Sequence, residues 1–147
     1  MGRPRKKAYK SKDFESRNNG SSFINQRGKN QADTSANIYE SMLQSAAFKS
    51  LTAKQQILYV YCKAQYYGKR KPKKDYEKQG LYQDDTYFYF NWQLAIDYDL
   101  YTEKSHSGFY KDMKVLIQRG FFELVKSGKG HKEKNIYKYS DKWQEWG

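Results

Sequence analysis

The chain lacks several features that would place it in common functional classes. Cys62 is its one cysteine, which excludes an internal disulfide and a zinc cluster built on cysteines. No apolar run approaches the roughly 20 residues that span a bilayer, and no signal peptide is visible. The phosphate-cradling pattern Gly-x-x-x-x-Gly-Lys-Ser/Thr is absent, which argues against nucleotide-driven work. We therefore expect a cytoplasmic protein without a membrane partner.

Residues typical of catalysis are also scarce. The chain has 2 histidines, His106 and His131, each in a lysine-rich polar neighbourhood without an acid–base partner in sequence. Two acidic pairs, at positions 84–85 and 97–99, are interpreted as loop acids and a helix end rather than as a magnesium site. We therefore expect no enzyme activity, no metal and no cofactor.

Positive charge and aromatic rings are what the chain has in abundance. The 28 Lys and Arg residues against 16 Asp and Glu leave a net charge of +12, which favours polyanions, nucleic acid first and an anionic membrane surface second. Hydrophobic residues make up 37% of the chain, but aromatic residues reach 18% and include 15 tyrosines. One small core built from large rings is therefore predicted.

Residues 1–35 are predicted to be a flexible basic tail, because apolar residues are too sparse there to offset the entropy of ordering the backbone. The tail begins with Gly2-Arg-Pro-Arg-Lys-Lys7, which resembles the Gly-Arg-Pro core of an AT-hook. That motif lays an extended Arg-Pro-Arg along the narrow minor groove of A·T-rich DNA. The resemblance implies DNA contacts by Arg3, Arg5, Lys6 and Lys7, whereas the simpler interpretation is a generic basic tail.

Residues 36–147 are predicted to form one α+β domain with three to four helices and a small antiparallel sheet. Thr52 and Gln55 form a capping box, and Asn91 is a natural N-cap. The helix that follows Thr52 is predicted to turn one face inward, with Cys62 as a buried core residue. This face consists of Ile57, Leu58, Tyr61, Cys62 and Gln65. Apolar spacing and capping residues predict helices over 38–48, 52–67, 91–98 and 105–119. Aromatic and β-branched runs predict strands over 86–90, 121–125 and 136–139.

The stretch from Ser105 to Tyr139 organises this domain. Phe109, Met113, Leu116 and Ile117 form one apolar stripe of a helix, which Ser105 or Ser107 can cap and which Gly120 ends. Two strands follow, joined by a polar, glycine-rich turn with several lysines. The pattern is a helix, a glycine stop and a hairpin with a basic tip.

Residues 38–140 resemble the winged helix-turn-helix proteins of Gram-positive plasmids, phages and conjugative elements, including replication initiators. The resemblance is carried by the runs Ala47-Phe-Lys-Ser-Leu-Thr-Ala53, Gln65-Tyr-Tyr-Gly68 and Phe109-Tyr-Lys-Asp-Met-Lys-Val-Leu-Ile-Gln-Arg-Gly-Phe-Phe122. It implies a winged helix with a basic wing, binding double-stranded DNA in replication, transfer or transcription control of a mobile element. It leaves open a homodimer on DNA and contacts with other replication or transfer proteins.

A recognition helix reads bases in the major groove with the side chains of its N-terminal half. Turning the apolar stripe inward leaves Ser105, His106, Ser107, Tyr110, Lys111 and Lys114 facing outward. In the hairpin, Lys129, Lys132 and Lys134 would lie over phosphates or an adjacent groove, together with His131. Exposed lysines are usually only a solvated face, but residues 104–142 carry ten basic and four acidic residues. This clustering favours DNA contact.

Two other functions remain open at the level of sequence. The domain could be an adaptor that docks to a replication or transfer protein, with the basic tail only solvating the chain. RNA binding is a third hypothesis, because tyrosines can stack on single-stranded bases. Core packing is the simpler explanation of the tyrosines, since most of them alternate within predicted strands or line helix faces.

Overall fold

The computed structural model of the chain describes residues 22–65, 86–128 and 135–147. The fold is α+β, with five α-helices and two small antiparallel sheets in those ranges. The chain divides into two compact units between Asp33 and Thr34. The unit that begins at Thr34 holds all five helices and a three-stranded sheet.

The first unit contains a β-hairpin of strands β1 (Ser22–Ile24) and β2 (Asn30–Ala32). Asn25 organises its turn, because its side-chain Oδ1 accepts hydrogen bonds from the backbone N–H groups of Arg27 at 2.9 Å and Lys29 at 3.0 Å. The sequence predicts no regular structure at these positions, because apolar residues are sparse there. An asparagine can nevertheless close a tight turn with its own side chain.

The second unit follows the order helix, helix, helix, strand, helix, helix, strand, strand. A 3-10 turn, Glu103–Ser105, precedes the last helix, and another, Lys142–Glu145, follows the last strand. The elements are α1 (Glu40–Leu43), α2 (Ala46–Lys49), α3 (Ala53–Lys63), β3 (Tyr87–Phe88), α4 (Trp92–Asp97), α5 (His106–Gln118), β4 (Phe122–Lys126) and β5 (Ile136–Tyr139).

The predicted helix over 38–48 is wrong in one respect, because the chain breaks there into α1 and α2. Ser45 causes the break. Its hydroxyl donates to the carbonyl of Met42 at 2.7 Å and accepts from the N–H of Phe48 at 3.1 Å, so it caps the second helix instead of continuing the first. A serine that bonds its neighbouring backbone competes with helix propagation in this way.

The capping box that opens α3 is confirmed, since Thr52 and Gln55 each accept from the other's backbone N–H, at 3.2 and 3.0 Å. Leu58, Cys62 and Gln65 of the predicted inner face are buried, but the prediction for Ile57 is wrong. Tyr59 is buried and packs 5.0 Å from Phe121, whereas Ile57 is 50% exposed. A large ring, rather than the isoleucine, therefore fills this part of the core. It also ends at Lys63 instead of near residue 67.

The three-stranded sheet places β5 in the centre, with β3 and β4 antiparallel on either side. Tyr137 of β5 lies opposite Phe88 on one neighbour and Leu124 on the other. The strands lie within a residue of the predicted positions for β4 and β5, while β3 is shorter than predicted. A register irregularity between Leu124 and Lys126 bends the outer strand.

The chain turns from α5 into β4 at Gly120, as predicted from its position. Gly120 has a φ of +91°, in the left-handed region that favours glycine. Its carbonyl accepts from the N–H of Trp143 at 3.0 Å, and the Trp143 ring stacks on Phe121 at 6.3 Å. This turn therefore joins α5, the sheet and the C-terminal 3-10 helix.

The core is mostly aromatic, as the composition predicted. Phe88 stacks on Tyr139 at 4.4 Å and meets the edge of Phe122 at 5.2 Å. Cys62 is fully buried in the same core, and burial raises the pKa of its thiol well above its ordinary value. The prediction that Cys62 is a core residue is confirmed, and such a thiol is a poor nucleophile.

Burial of tyrosine hydroxyls predicts a loss of stability at alkaline pH. Burial raises the pKa of Tyr137 from about 10 to about 12 and raises that of Tyr59 further. The unfolded chain therefore loses these protons before the folded one, so the stabilisation is complete below about pH 10 and is lost as pH rises toward the folded pKa. Urea denaturation from pH 9 to 12 should show up to about 1.4 kcal/mol lost per pH unit per tyrosine. Tyr137→Phe should remove one such contribution, and an unchanged slope in that variant would contradict the prediction.

Candidate nucleic-acid interface

The exposed face of α5 is a continuous polar and basic surface. Phe109, Met113 and Leu116 point into the core, as predicted, and Ile117 is partly buried. On the opposite side, positions three or four residues apart form one solvent-facing row. We call this row the α5 stripe, and it consists of Ser107, Tyr110, Lys111, Lys114 and Gln118, all exposed.

The α5 stripe carries two positive charges and no carboxylate. Asp112 is the one acidic residue of α5, and it turns away from the stripe. Its Oδ2 accepts from the Tyr101 hydroxyl at 2.6 Å, and its Oδ1 accepts from Gln55 Nε2 at 3.0 Å. Within the described part of the chain, neither Lys111 nor Lys114 forms an ion pair. Both ammonium groups are thus available to an anion from outside.

Asp112 also fixes how α5 is held. Gln55 uses one end of its amide to cap α3 and the other to reach Asp112, so a single side chain connects the start of α3 to the middle of α5. Tyr101 adds a bond from the preceding turn, and Lys54 lies over its ring at 4.6 Å while donating to the Leu100 carbonyl at 2.8 Å. Burial raises the pKa of Tyr101, and the hydrogen bond to Asp112 raises it further.

Sequence reasoning missed this three-residue clamp, because its members come from three separate segments. The sequence contained only a weak signal for the clamp. An aspartate in the middle of an otherwise basic helix needs a partner, and sequence spacing cannot name a partner that lies 57 positions away. The clamp ties α5 to the start of α3 and to the preceding turn.

An aromatic cluster stands at the start of α5. The His106 ring packs edge-to-face against Trp92 at 4.8 Å and against Tyr110 at 4.9 Å. His106 is therefore on the surface, as predicted, with its ring held between two others. Ser105 occupies the N-cap position but makes no capping bond, and Ser107 lies inside the helix, so the prediction that one of these serines caps α5 is wrong. Its hydroxyl instead lies 3.1 Å from that of Thr102.

The hairpin after α5 is closed at its base by Asn135. Its Oδ1 accepts from the backbone N–H of Gly128 at 2.7 Å, and its Nδ2 lies 3.4 Å from the Tyr137 hydroxyl. Burial is the main cause of the raised pKa of Tyr137. The hydrogen bond from Asn135 lowers it.

Several predicted residues fall outside the described ranges. The acidic residues at positions 84–85 are among them. The DNA contacts predicted for the following residues therefore stay predictions: Arg3, Arg5, Lys6, Lys7, Lys129, Lys132 and Lys134, together with His131.

Two lysines on the sheet or just after it are less suited to binding an anion. Lys142 lies 3.7 Å from the Glu123 carboxylate, so a neighbouring acid already offsets its charge. Lys138 lies over the Tyr87 ring at 5.3 Å. The α5 stripe is therefore a clearer candidate for anion binding than this part of the sheet.

Within the three described ranges, no group of three or more metal-ligating side chains comes together. In the same ranges, no helix has the length and apolar character needed to cross a membrane.

Comparison with known proteins returns no relative. The chain matches no protein-family model, and neither a curated protein nor a solved structure resembles it detectably. The features that bear on function are therefore the α5 stripe, the clamp on Asp112 and the hairpin that follows α5.

Proposed function

We propose that the second unit is a winged helix-turn-helix domain that binds double-stranded DNA without catalysing a reaction. The observation that most directly supports DNA binding is the α5 stripe, where Lys111 and Lys114 are exposed and no carboxylate is present. The order of elements supports the proposal, since α5 is followed directly by the β4–β5 hairpin and β3 joins the sheet beside β5. The particular role would be replication, transfer or transcription control of a mobile element.

In this proposal α5 lies in the major groove, which is wide enough to admit an α-helix. Lys111 and Lys114 contact phosphates or guanine edges, while Ser107 and Tyr110, nearer the start of the helix, approach the bases. The basic hairpin tip and the N-terminal tail would add phosphate and minor-groove contacts. Most of the affinity would then come from charge.

The clamp on Asp112 suits such a helix. It holds α5 against α3 and the preceding turn before any ligand arrives, so binding does not have to pay for ordering the helix. It also keeps the one carboxylate of α5 away from the phosphates.

The adaptor hypothesis retains one supporting observation. Ile57 and Val60 lie one turn apart on α3 and are 50% and 36% exposed. Such a pair is a common feature of surfaces that contact another protein, although single exposed apolar residues are normal. RNA binding gains less support, since Tyr59, Tyr101 and Tyr137 are buried in the core.

A salt series on a labelled duplex tests the proposal with the full chain. The logarithm of affinity should fall against the logarithm of salt with a slope of about −4 or steeper, as five or more phosphate contacts would give. A matched variant with Arg3, Arg5, Lys6 and Lys7 changed to glutamine should bind with a shallower slope. A slope near zero for the unchanged chain would sink the proposal, and binding that vanishes in the glutamine variant would favour the adaptor.

A further inference from the structure

The aromatic cluster at the start of α5 is a preformed apolar surface within a basic one. Trp92 is anchored in the body of the domain, packing on Phe109 at 5.8 Å and on Tyr101 at 6.3 Å. His106 rests on Trp92, and Tyr110 rests on both His106 and Phe109, each at 4.9 Å. The position of the Tyr110 ring is therefore set by contacts that lead back to the core.

Tyr110 nevertheless remains 45% exposed, and it stands next to Lys111 in the α5 stripe. A surface that only bound phosphates would need lysines alone, since phosphate contacts carry no base information. An exposed ring held in one orientation offers something different. It offers an apolar contact in the same stripe as two positive charges.

The major groove presents one apolar group among its base edges, the 5-methyl group of thymine, and apolar side chains contact it. We infer that Tyr110, supported by His106, contacts the 5-methyl group of a pyrimidine in the major groove of duplex DNA. This inference rests on the proposed function, because it requires α5 to lie in that groove. The ligand is then duplex DNA that carries a 5-methylpyrimidine at the position opposite Tyr110.

The geometry favours a methyl contact over stacking on an unpaired base. A stacked base needs a fully open ring face, whereas Tyr110 has two rings at 4.9 Å and less than half of its surface open. A methyl group needs only the open part.

The test removes and adds only the methyl group. The full chain is titrated, at one moderate salt concentration, into an alternating A·T duplex and into the same duplex with deoxyuridine in place of thymidine. The uracil duplex should bind about fourfold more weakly for each methyl group buried, the ratio expected for one group of that size. An alternating G·C duplex carrying 5-methylcytosine should bind more tightly than the unmethylated one by a similar factor.

Variants assign the effect to the ring. Tyr110→Ala should bring the thymine-to-uracil ratio close to one, whereas Tyr39→Ala, which removes a tyrosine that is 66% exposed at the start of α1, should leave it unchanged. If Tyr110→Ala does not fold, by circular dichroism, His106→Ala is the replacement and should reduce the ratio.

The outcomes separate the inference from the proposed function. Equal binding of thymine and uracil duplexes, with a steep salt slope for both, would overturn the inference and leave DNA binding intact. Tighter binding of a single-stranded oligonucleotide than of its duplex would also overturn it. Absence of binding to every duplex would remove the proposed function itself.

Discussion

Replacing Gly120 with alanine is expected to destabilise the second unit by about 3 kcal/mol or more. Two costs add. The φ of +91° is unfavourable for any residue with a Cβ, by roughly 1–2 kcal/mol. A Cβ at this position would also lie 2.5 Å from the backbone of Lys142 and of Trp143, closer than atoms can approach. Neither neighbour can move easily, because two contacts hold Trp143 in place. Its N–H donates to the Gly120 carbonyl, and its ring stacks on Phe121.

Gly108 provides the matched control for this substitution. It lies within α5, and a Cβ built on it meets no atom within 4 Å. Gly108→Ala should therefore stabilise the protein by up to about 1 kcal/mol, since alanine favours a helix more than glycine does. Free energies of unfolding from urea titration measure both variants. Equal stability of Gly120→Ala and the unchanged chain would show that α5 does not end in this close left-handed turn.

The features that sequence predicted correctly depend on neighbours in the chain. The capping box at Thr52, the N-cap at Asn91 and the stop at Gly120 each involve bonds or dihedral angles within a few residues. The periodicity of α5 also gave its outer face correctly. A helix rotates by a fixed angle per residue. A helix that buries Phe109, Met113 and Leu116 must therefore expose Lys111 and Lys114.

The features that sequence missed depend on distant partners or on competing local bonds. Tyr59 displaced Ile57 from the core because Phe121, sixty-two positions away, offers a ring to pack against. The clamp on Asp112 joins side chains from α3, α5 and the turn between α4 and α5. The break at Ser45 was local, but a serine hydroxyl can face solvent or bond the backbone, and composition does not decide between them.

The candidate site shows the same division. Exposure of Ser107, Tyr110, Lys111 and Lys114 followed from helical periodicity and holds in the structure. The packing of His106 between two rings did not follow from sequence, since Trp92 belongs to another helix. That packing is what distinguishes a row of solvated side chains from a surface with a fixed shape.

Reversing both charges of the α5 stripe, by Lys111→Glu with Lys114→Glu, is expected to weaken duplex binding by about a hundredfold or more. Under the proposed function the two lysines face phosphates, and a carboxylate in the same place is repelled by them. The more sensitive readout is the salt dependence of Lys111→Gln with Lys114→Gln, whose slope should fall by about two, one for each phosphate contact removed. Stability should change little, because both side chains are exposed and without ion-pair partners in the described ranges.

The control for this double reversal keeps the same net charge. Lys49→Glu with Lys63→Glu changes two lysines that lie on α2 and α3, away from the α5 stripe. Lys63 lies over the Tyr139 ring at 4.7 Å. If general attraction to a cationic protein accounts for binding, both double variants should lose affinity equally. If α5 enters the groove, the stripe variant should lose far more than the control. If the stripe variant keeps tight, salt-dependent binding, the DNA contacts lie on the tail or the hairpin tip and not on α5.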